Sequence, residues 1–199
     1  MHRKALMFIK IIFLTICLFV FSPSSYAQSH FACRPPLIER AELGDTASQA
    51  FLAWCYQNGH GFQQDRKEAF RWYSKAAISG HAGAQNNLAT MLFVGRPYKK
   101  NEPLAAQWYL QAAMQGNAQA QFNLAALYRQ GTGVEKNDKL ALKWYKEAAF
   151  QNHAFAMDAL AYMHEKGLGM DAPDEEKAGY WRKHANEAKK QKNRSPWQE

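Results

Sequence analysis

The stretch LKWYKEAAFQN, residues 142–152, contains a Trp-Tyr pair followed by two alanines, and this arrangement recurs along the chain. The pair also occurs at residues 72–73 and 108–109, so that each copy lies 36 residues from the next. Self-similarity at a fixed step of this length indicates a repeat protein, in which one structural unit is copied along the chain. The same step relates two further sets of residues, Gly59, Gly95, Gly131 and Gly167, and Leu52, Leu88, Leu124 and Leu160.

Each unit is predicted to contain two α-helices joined by a short loop. In the third unit, the first helix covers AQAQFNLAALYRQ (118–130), where Leu124 and Tyr128 lie on one helical face. Gly131 ends this helix, and the loop GTGVEKN leads to the second helix, residues 138–152. The inner face of the second helix is predicted to carry Ala141, Trp144, Ala148 and Ala149.

The large side chains that recur are predicted to form a core shared by neighbouring units. Burying each such side chain stabilises the fold by about 1.5–3 kcal/mol, and a lone helix pair cannot cover all of them. Stacked units can, so the stability of each unit depends on its neighbours. The predicted core residues are Leu52, Tyr56, Trp72, Leu88, Trp108, Leu124, Tyr128, Trp144, Leu160 and Trp181.

The fourth unit leaves two alignments open, because its loop GLGMDAPDEE differs from the others. A strict step of 36 residues places Tyr180 at the tryptophan position. Aligning Lys177-Ala178 with the positions that precede the earlier tryptophans places Trp181 there instead, with one extra residue in the loop. We adopt the second alignment because it also keeps Ala185 at a repeated alanine position, and we retain the first as the alternative.

These repeated positions resemble the Sel1-like repeat family, a relative of the tetratricopeptide repeats. The third unit matches the family motif at Ala120, Leu124, Ala125, Tyr128, Gly131, Gly133, Val134, Ala141, Trp144, Tyr145, Ala148 and Ala149. The resemblance implies an all-α protein, a right-handed α-solenoid of four 36-residue helix-turn-helix repeats at residues 44–79, 80–115, 116–151 and 152–187. A partial capping helix is expected within residues 28–43, and a basic tail covers residues 188–199.

The resemblance also implies where a partner binds, because the first helices of such repeats line a concave groove. Counting helical positions from the core leucines, we expect seven groove residues, which are Trp54, Asn86, Phe93, Phe122, Arg129, Phe155 and Tyr162. These positions differ from unit to unit, and aromatic and arginine side chains are common in recognition surfaces. An alternative for Phe93 and Phe155 is burial between units.

The first 27 residues have the pattern of a secretory signal peptide. A basic start (MHRK) precedes the apolar run IIFLTICLFVF at residues 11–21, and Ser25-Tyr26-Ala27 is a small-x-small cleavage site. We expect cleavage after Ala27 and a periplasmic or secreted protein that has no stable membrane insertion afterwards. The apolar run is shorter than the ~20 residues of a membrane span, and an uncleaved anchor is the alternative.

Export leaves two cysteines, Cys33 and Cys55, because Cys17 is removed with the signal peptide. Two thiols in an oxidising compartment predict one disulfide bond, which would tie the capping helix to the first unit. The alternative is a free Cys33 and a buried, unbonded Cys55.

The charge pattern and the motifs favour a binding protein over an enzyme. The formal charge of +8 falls to +5 when Arg3, Lys4 and Lys10 leave with the signal peptide, and six basic residues lie within residues 182–194. No zinc-protease, hydrolase or P-loop motif occurs, so we predict no catalytic residue, no metal and no cofactor. Because the protein is expected to be exported, we expect no nucleic-acid partner, and we expect a monomer.

The function expected from the sequence is therefore that of an exported, non-enzymatic scaffold for a protein or peptide partner, in envelope assembly, regulation or host contact. The alternative comes from the resemblance. Some cysteine-rich secreted members of that family have been proposed to bind or slowly hydrolyse β-lactams, which suggests a cell-wall-associated β-lactam-binding protein or a weak β-lactamase-like enzyme. Those members carry a disulfide in each repeat, whereas the later units here contain no cysteine.

Overall fold

The computed structural model describes residue 33 and residues 35–193, which form helices and no strand. The predicted signal peptide (1–27) and residues 194–199 of the predicted tail lie outside the described residues. The nine helices of the described part are α1 (Pro35–Glu42), α2 (Thr46–Asn58), α3 (Arg66–Ile78), α4 (Ala82–Val94), α5 (Glu102–Met114), α6 (Ala118–Gln130), α7 (Asp138–Phe150), α8 (Ala154–Lys166) and α9 (Glu175–Asn193). The prediction of an all-α chain is confirmed.

The helices form two layers of an α-solenoid. The pairs α2–α3, α4–α5, α6–α7 and α8–α9 pack closely, and the second helix of each pair also packs on the first helix of the next pair. We call the first members (α2, α4, α6, α8) the A helices and the second members (α3, α5, α7, α9) the B helices. Helix α1 packs on α2 in the place of a preceding B helix, which is the predicted capping role.

The boundaries of the helices follow from residues that recur with the repeat. Each A helix ends at a glycine with positive φ, between 67° and 77°, a conformation that costs a residue with a side chain more than it costs glycine. Three B helices begin after Asp65, Asn101 and Asn137, whose side chains accept hydrogen bonds from backbone N–H groups of the first turn. Residues close in sequence therefore mark where each A helix ends and where these three B helices begin.

The fourth unit contains one extra loop residue, which favours the Trp181 alignment. In the first three units, the backbone N–H of the residue that caps the B helix donates to the carbonyl oxygens of Tyr56, Leu92 and Tyr128. In the fourth unit, the equivalent carbonyl of His164 accepts from Asp174, one residue later than the repeat step. Accordingly, Ala178 and Ala185 are buried, Trp181 packs against the core and Tyr180 is exposed.

The repeated leucines form the centre of the core, and their exposed fractions are between 0% and 3%. The burial of the Trp-Tyr pair differs from the prediction, which placed the tryptophans Trp108 and Trp144 in the core. Tyr145 is buried and Trp144 is only half-buried, and the same holds for Tyr109 and Trp108. Neighbouring residues on a helix point about 100° apart, so only one member of the pair faces between the layers, and in these units it is the tyrosine. Of the other predicted core aromatics, Trp72 is buried, and Tyr56, Tyr128 and Trp181 are half-buried.

A ladder of glutamines, which was not predicted from the sequence, connects three of the four A helices to the helix before them. The buried amides of Gln49, Gln85 and Gln121 donate to the carbonyl oxygens of Ala41, Ala77 and Ala113 at 3.0–3.1 Å. These carbonyls lie in the last turn of α1, α3 and α5, where helical partners run out. The glutamines share the 36-residue step and therefore align the stacked units, except in the fourth unit, where Met157 occupies the position.

A second row of glutamines completes this ladder in two of the three places. Gln115 and Gln151 donate from Nε2 to the Oε1 atoms of Gln85 and Gln121 at 2.7 and 2.8 Å. The residue at the corresponding position after α3 is Ser79, whose side chain is shorter. Within the described ranges, the Oε1 atom of Gln49 is buried and has no hydrogen-bond partner.

The disulfide bond between Cys33 and Cys55 is present and joins the segment before α1 to α2. A bond that closes a loop with a sequence separation of 22 residues stabilises a fold by about 3 kcal/mol when it is unstrained. Gly61 makes room for this junction, because a Cβ atom there would overlap the Cys33 carbonyl oxygen. The cysteine prediction therefore agrees with the structure, and the alternative of two free thiols does not.

His164 is a buried histidine without a hydrogen-bond partner for either ring nitrogen in the described part of the chain. It occupies the position that Tyr56, Leu92 and Tyr128 hold in the other units. Burial lowers the pKa of its imidazole below the ordinary value, and the nearby Asp174 carboxylate offsets this effect only in part. The neutral ring is therefore the form that the folded protein accommodates.

We expect Ser79→Gln to stabilise the protein by about 0.5–1.5 kcal/mol, because the new amide can donate to the unpartnered Oε1 atom of Gln49. The free energy of unfolding in urea measures the effect. Ser79→Glu is the matched control, since a carboxylate of the same length cannot donate a hydrogen bond. Equal stability of the two variants would contradict the predicted contact.

We expect the stability to fall as the pH decreases from about 7.5 to 5.5, and His164 to cause part of the loss. The unfolded histidine binds a proton with a pKa of about 6.5, whereas the folded one binds it at lower pH. Acidification therefore favours the unfolded chain. His164→Leu and His164→Tyr, which copy the other units, should flatten the curve of unfolding free energy against pH. Curves parallel to that of the unaltered protein would contradict this account.

Candidate functional site

The seven predicted groove residues lie at four positions of the A helices, the second, fifth, ninth and twelfth residues of each. These positions share one helical face, since they are separated by three or four residues. Neighbouring A helices are separated by depressions along this face. We call this face of α2, α4, α6 and α8, together with its depressions, the groove.

The depression between α2 and α4 presents Trp54. This indole is 41% exposed and stacks on Phe51 and on His60, with ring centroids 5.6 and 4.8 Å away. The stacking holds a large aromatic surface in one orientation while one side faces solvent. The residues around this depression are Ala47, Ala50, Phe51, Trp54, Tyr73, His81, Gly83, Ala84 and Asn87.

The depression between α4 and α6 is polar, and its amides bind one another. Asn123 donates to the Oδ1 atom of Asn86 at 3.1 Å, and Gln119 donates to the Oδ1 atom of Asn123 at 3.1 Å. The chain continues to the His153 ring, 3.2 Å from Gln119. Asn86 is only 8% exposed. The expectation that Asn86 faces a partner is therefore corrected, because its amide is used to hold α4 against α6. Phe93, in the same depression, is half-buried, with the Lys100 ammonium 5.1 Å from its ring centre.

The section between α6 and α8 brings four predicted residues together, and we call it the aromatic section: Phe122, Arg129, Phe155 and Tyr162. The Phe122 ring centroid lies 6.5 Å from that of Phe155, and the Arg129 guanidinium carbon lies 5.7 Å from the centre of the Tyr162 ring. Phe155 is 62% exposed and Tyr162 is 45% exposed. The alternative that Phe155 is buried between units is therefore wrong.

Arg129 carries a positive charge that no carboxylate neutralises within the described residues. The side chain is half-buried, its Nε atom has no hydrogen-bond partner in that range, and the guanidinium lies beside the buried Tyr145 hydroxyl. Burial raises the pKa of Tyr145, and Arg129 offsets this effect in part. The acids of α8 in this region are already paired, Asp158 with Lys189 at 2.5 Å and Glu165 with Arg182 at 2.9 Å.

The tyrosines of the repeated pair lie beneath the groove, which the sequence analysis did not anticipate. Burial raises the pKa of Tyr73 to about 12 and raises the pKa of Tyr109, whose hydroxyl lies 2.9 Å from the Thr90 hydroxyl. Both residues also line depressions between A helices. At neutral pH they remain neutral hydrogen-bonding groups in the floor of the groove. Their 36-residue step was visible in the sequence, but the helix rotation that turns them towards the A layer was not.

No group of three or more His, Cys, Asp or Glu side chains in the described part of the chain could hold a metal ion. None of the helices placed by the structure combines the length and the apolar character of a bilayer span.

Comparisons with known proteins agree with this architecture. The family model described as Sel1 repeat matches residues 46–81, 82–117, 118–153 and 154–181, and each match begins two residues after the start of the predicted unit. No match was found among curated protein sequences.

Two solved structures resemble the chain over 76% of its length with 32% sequence identity each. One is a protective antigen of uropathogenic Escherichia coli strains that displays an SLR fold (TM-score 0.74), and the other is a Sel1 repeat protein from Oxalobacter formigenes (TM-score 0.71). The chain spans 32% of the length of the first and 60% of the second.

Proposed function

Because the chain belongs to the Sel1 repeat family, whose members generally mediate protein–protein interaction, we propose that it is an exported scaffold with a concave groove for a protein or peptide partner. The scaffold would serve envelope assembly, regulation of a membrane protein or contact with a host. The partner would lie along the A helices and contact the aromatic section.

The observation that carries this proposal is the contrast between repeated and unrepeated positions. The repeated leucines are buried, whereas the groove positions change from unit to unit and leave Trp54, Phe155 and Tyr162 partly exposed. The stability of a solenoid comes mainly from the interfaces between neighbouring repeats, where the repeated positions lie. Exposed aromatic side chains near an arginine are typical of residues that dominate binding energy in interfaces.

The aromatic section is also held in place before any partner binds. The Phe122 ring stacks on His153 at 4.9 Å and contacts Tyr145 at 5.6 Å between ring centroids. Arg129 is anchored over Tyr162. Side chains that are already ordered lose less conformational entropy on binding, which increases affinity for a given contact area.

Export to the periplasm or the medium is part of the proposal. The support is the signal-peptide pattern of residues 1–27 and the Cys33–Cys55 bond, since such bonds persist in oxidising compartments. The cell-wall enzyme considered from the sequence is not proposed. That alternative was based on the resemblance to cysteine-rich family members with a disulfide in each repeat, whereas this chain has no cysteine after Cys55.

We expect the triple variant Trp54→Ala, Phe122→Ala, Tyr162→Ala to lose the partners that the unaltered protein captures by crosslinking in the cell envelope. The variant should keep its helical circular dichroism, because these side chains are partly exposed. The matched control is Ile78→Ala, Met114→Ala, Phe150→Ala, which removes three exposed apolar side chains from the ends of B helices. Unchanged capture by the groove variant, or loss only in the control, would contradict the proposal.

We expect the mature protein to begin at Gln28, because the small residues Ser25 and Ala27 form the cleavage site. N-terminal sequencing of the protein from a periplasmic extract checks this. Replacing Ala27 with a large charged residue, Ala27→Glu, should block cleavage and leave the 22.7 kDa precursor. A full-length protein that remains in the cytoplasm would contradict the proposed export.

A further inference from the structure

Besides the two depressions, a cavity lies at one edge of the groove, next to the loops that join A helices to B helices. It encloses about 220 Å³, opens to solvent and contains two arginines from different elements. Arg66 is the first residue of α3, and Arg96 belongs to the loop between α4 and α5. The residues that line this cavity are Gln57, Arg66, Asn87, Thr90, Met91, Val94 and Arg96, and we call it the arginine pocket.

Neither guanidinium group has an ion-pair or hydrogen-bond partner within the ranges that the structure describes. The acids close to them in sequence are occupied. Asp65 accepts hydrogen bonds from the backbone of α3 at 2.8 and 3.1 Å, and Glu68 is paired with Arg71 at 2.7 Å. Near Arg96 in the sequence, Glu102 is paired with Lys100 at 2.5 Å. The pocket therefore contains two positive charges that the fold does not neutralise.

The pocket is continuous with the groove. Asn87 also lines the depression between α2 and α4, and Thr90 also lines the depression between α4 and α6. A chain segment that lies across these A helices could therefore place one side chain in the arginine pocket. Arg129 adds a third guanidinium without a carboxylate partner, in the aromatic section.

The size and the chemistry of the pocket indicate what enters it. A volume of about 220 Å³ is below the roughly 300–1,000 Å³ of sites that enclose a small molecule, so it suits one group of a larger partner. Guanidinium groups bind carboxylates by paired, charge-assisted hydrogen bonds. Met91 and Val94 supply apolar surface for the carbon chain that carries the carboxylate.

We propose that the arginine pocket binds a carboxylate of an acidic segment of the partner protein, held by Arg66 and Arg96 while the rest of the segment lies in the groove. This inference rests on the proposed function and specifies that the bound segment of the partner is acidic. The carboxylate belongs either to an Asp or Glu side chain or to the end of the partner chain. Both sources have the same chemistry at the two guanidinium groups.

Selection of random dodecapeptides on the purified protein tests this inference. We expect the unaltered protein to enrich peptides with an acidic group at a constant position. The affinity of such a peptide should fall about tenfold for the double variant Arg66→Gln, Arg96→Gln, because two charge-assisted contacts are lost. Lys139→Gln, Lys190→Gln is the charge-matched control, since both lysines are exposed and lie outside the pocket, and it should bind normally.

A mutant cycle links the peptide to the pocket. Replacing the selected Glu with Gln in the peptide should weaken binding to the unaltered protein about tenfold and change little for the arginine variant. If the carboxylate is that of the peptide C-terminus, amidation of the C-terminus should weaken binding in this way, and the exchange of Glu for Gln should not. Selected peptides without a constant acid, or an equal loss with both charge variants, would overturn the inference.

The same peptides separate this inference from the proposed function. Binding that is lost with the Trp54, Phe122 and Tyr162 triple variant but unchanged by Arg66→Gln, Arg96→Gln would leave the groove assignment intact and reject the pocket. Binding that depends on the two arginines but not on the three aromatic residues would reject the groove assignment and keep the pocket. Enrichment of no peptide by the unaltered protein would reject both.

Discussion

An isolated helix pair of this chain cannot cover its own apolar surface, and the rest of the structure depends on this constraint. Leu88, for example, is 3% exposed only because α4 packs against α5 and against α3 of the preceding unit. Small alanines such as Ala89 and Ala113 let the helices approach, and the leucines fill the space between them. The ends of the array need separate solutions, which α1 supplies at one end and the polar surface of α9 at the other.

Hydrophobic burial alone would allow neighbouring units to rotate, and the glutamine ladder restricts that freedom. Each glutamine donates a further hydrogen bond to a carbonyl at the end of the preceding helix, which also accepts from the backbone N–H of Gly44, Gly80 or Gly116. The amide chain from Asn86 to His153 adds side-chain hydrogen bonds between the A helices. These hydrogen bonds fix the A helices relative to one another, and the groove is formed on the layer that they connect.

The basic side chains of the described residues differ in whether a carboxylate is paired with them. Around α8 and α9, the acids Asp158 and Glu165 have basic partners from the long last helix. Around the first two units and in the aromatic section, Arg66, Arg96 and Arg129 have no carboxylate partner in the described chain. An acidic partner would pair with these groups without displacing an ion pair within the described chain.

Local pattern was sufficient for the helices, the repeat step, the buried leucines and the cysteine pair, because each is encoded by residues that recur within one unit or by a compositional rule. It was not sufficient for the deeper burial of Tyr145 than of Trp144 or for the buried amide of Asn86, and it left burial of Phe155 open as an alternative to the predicted exposure. It also gave no sign that Arg66 and Arg96 share a pocket. These features depend on how far each helix turns about its axis and on which loop lies beside which helix. Only packing between units decides both, because the contacts that do so join residues about one repeat apart.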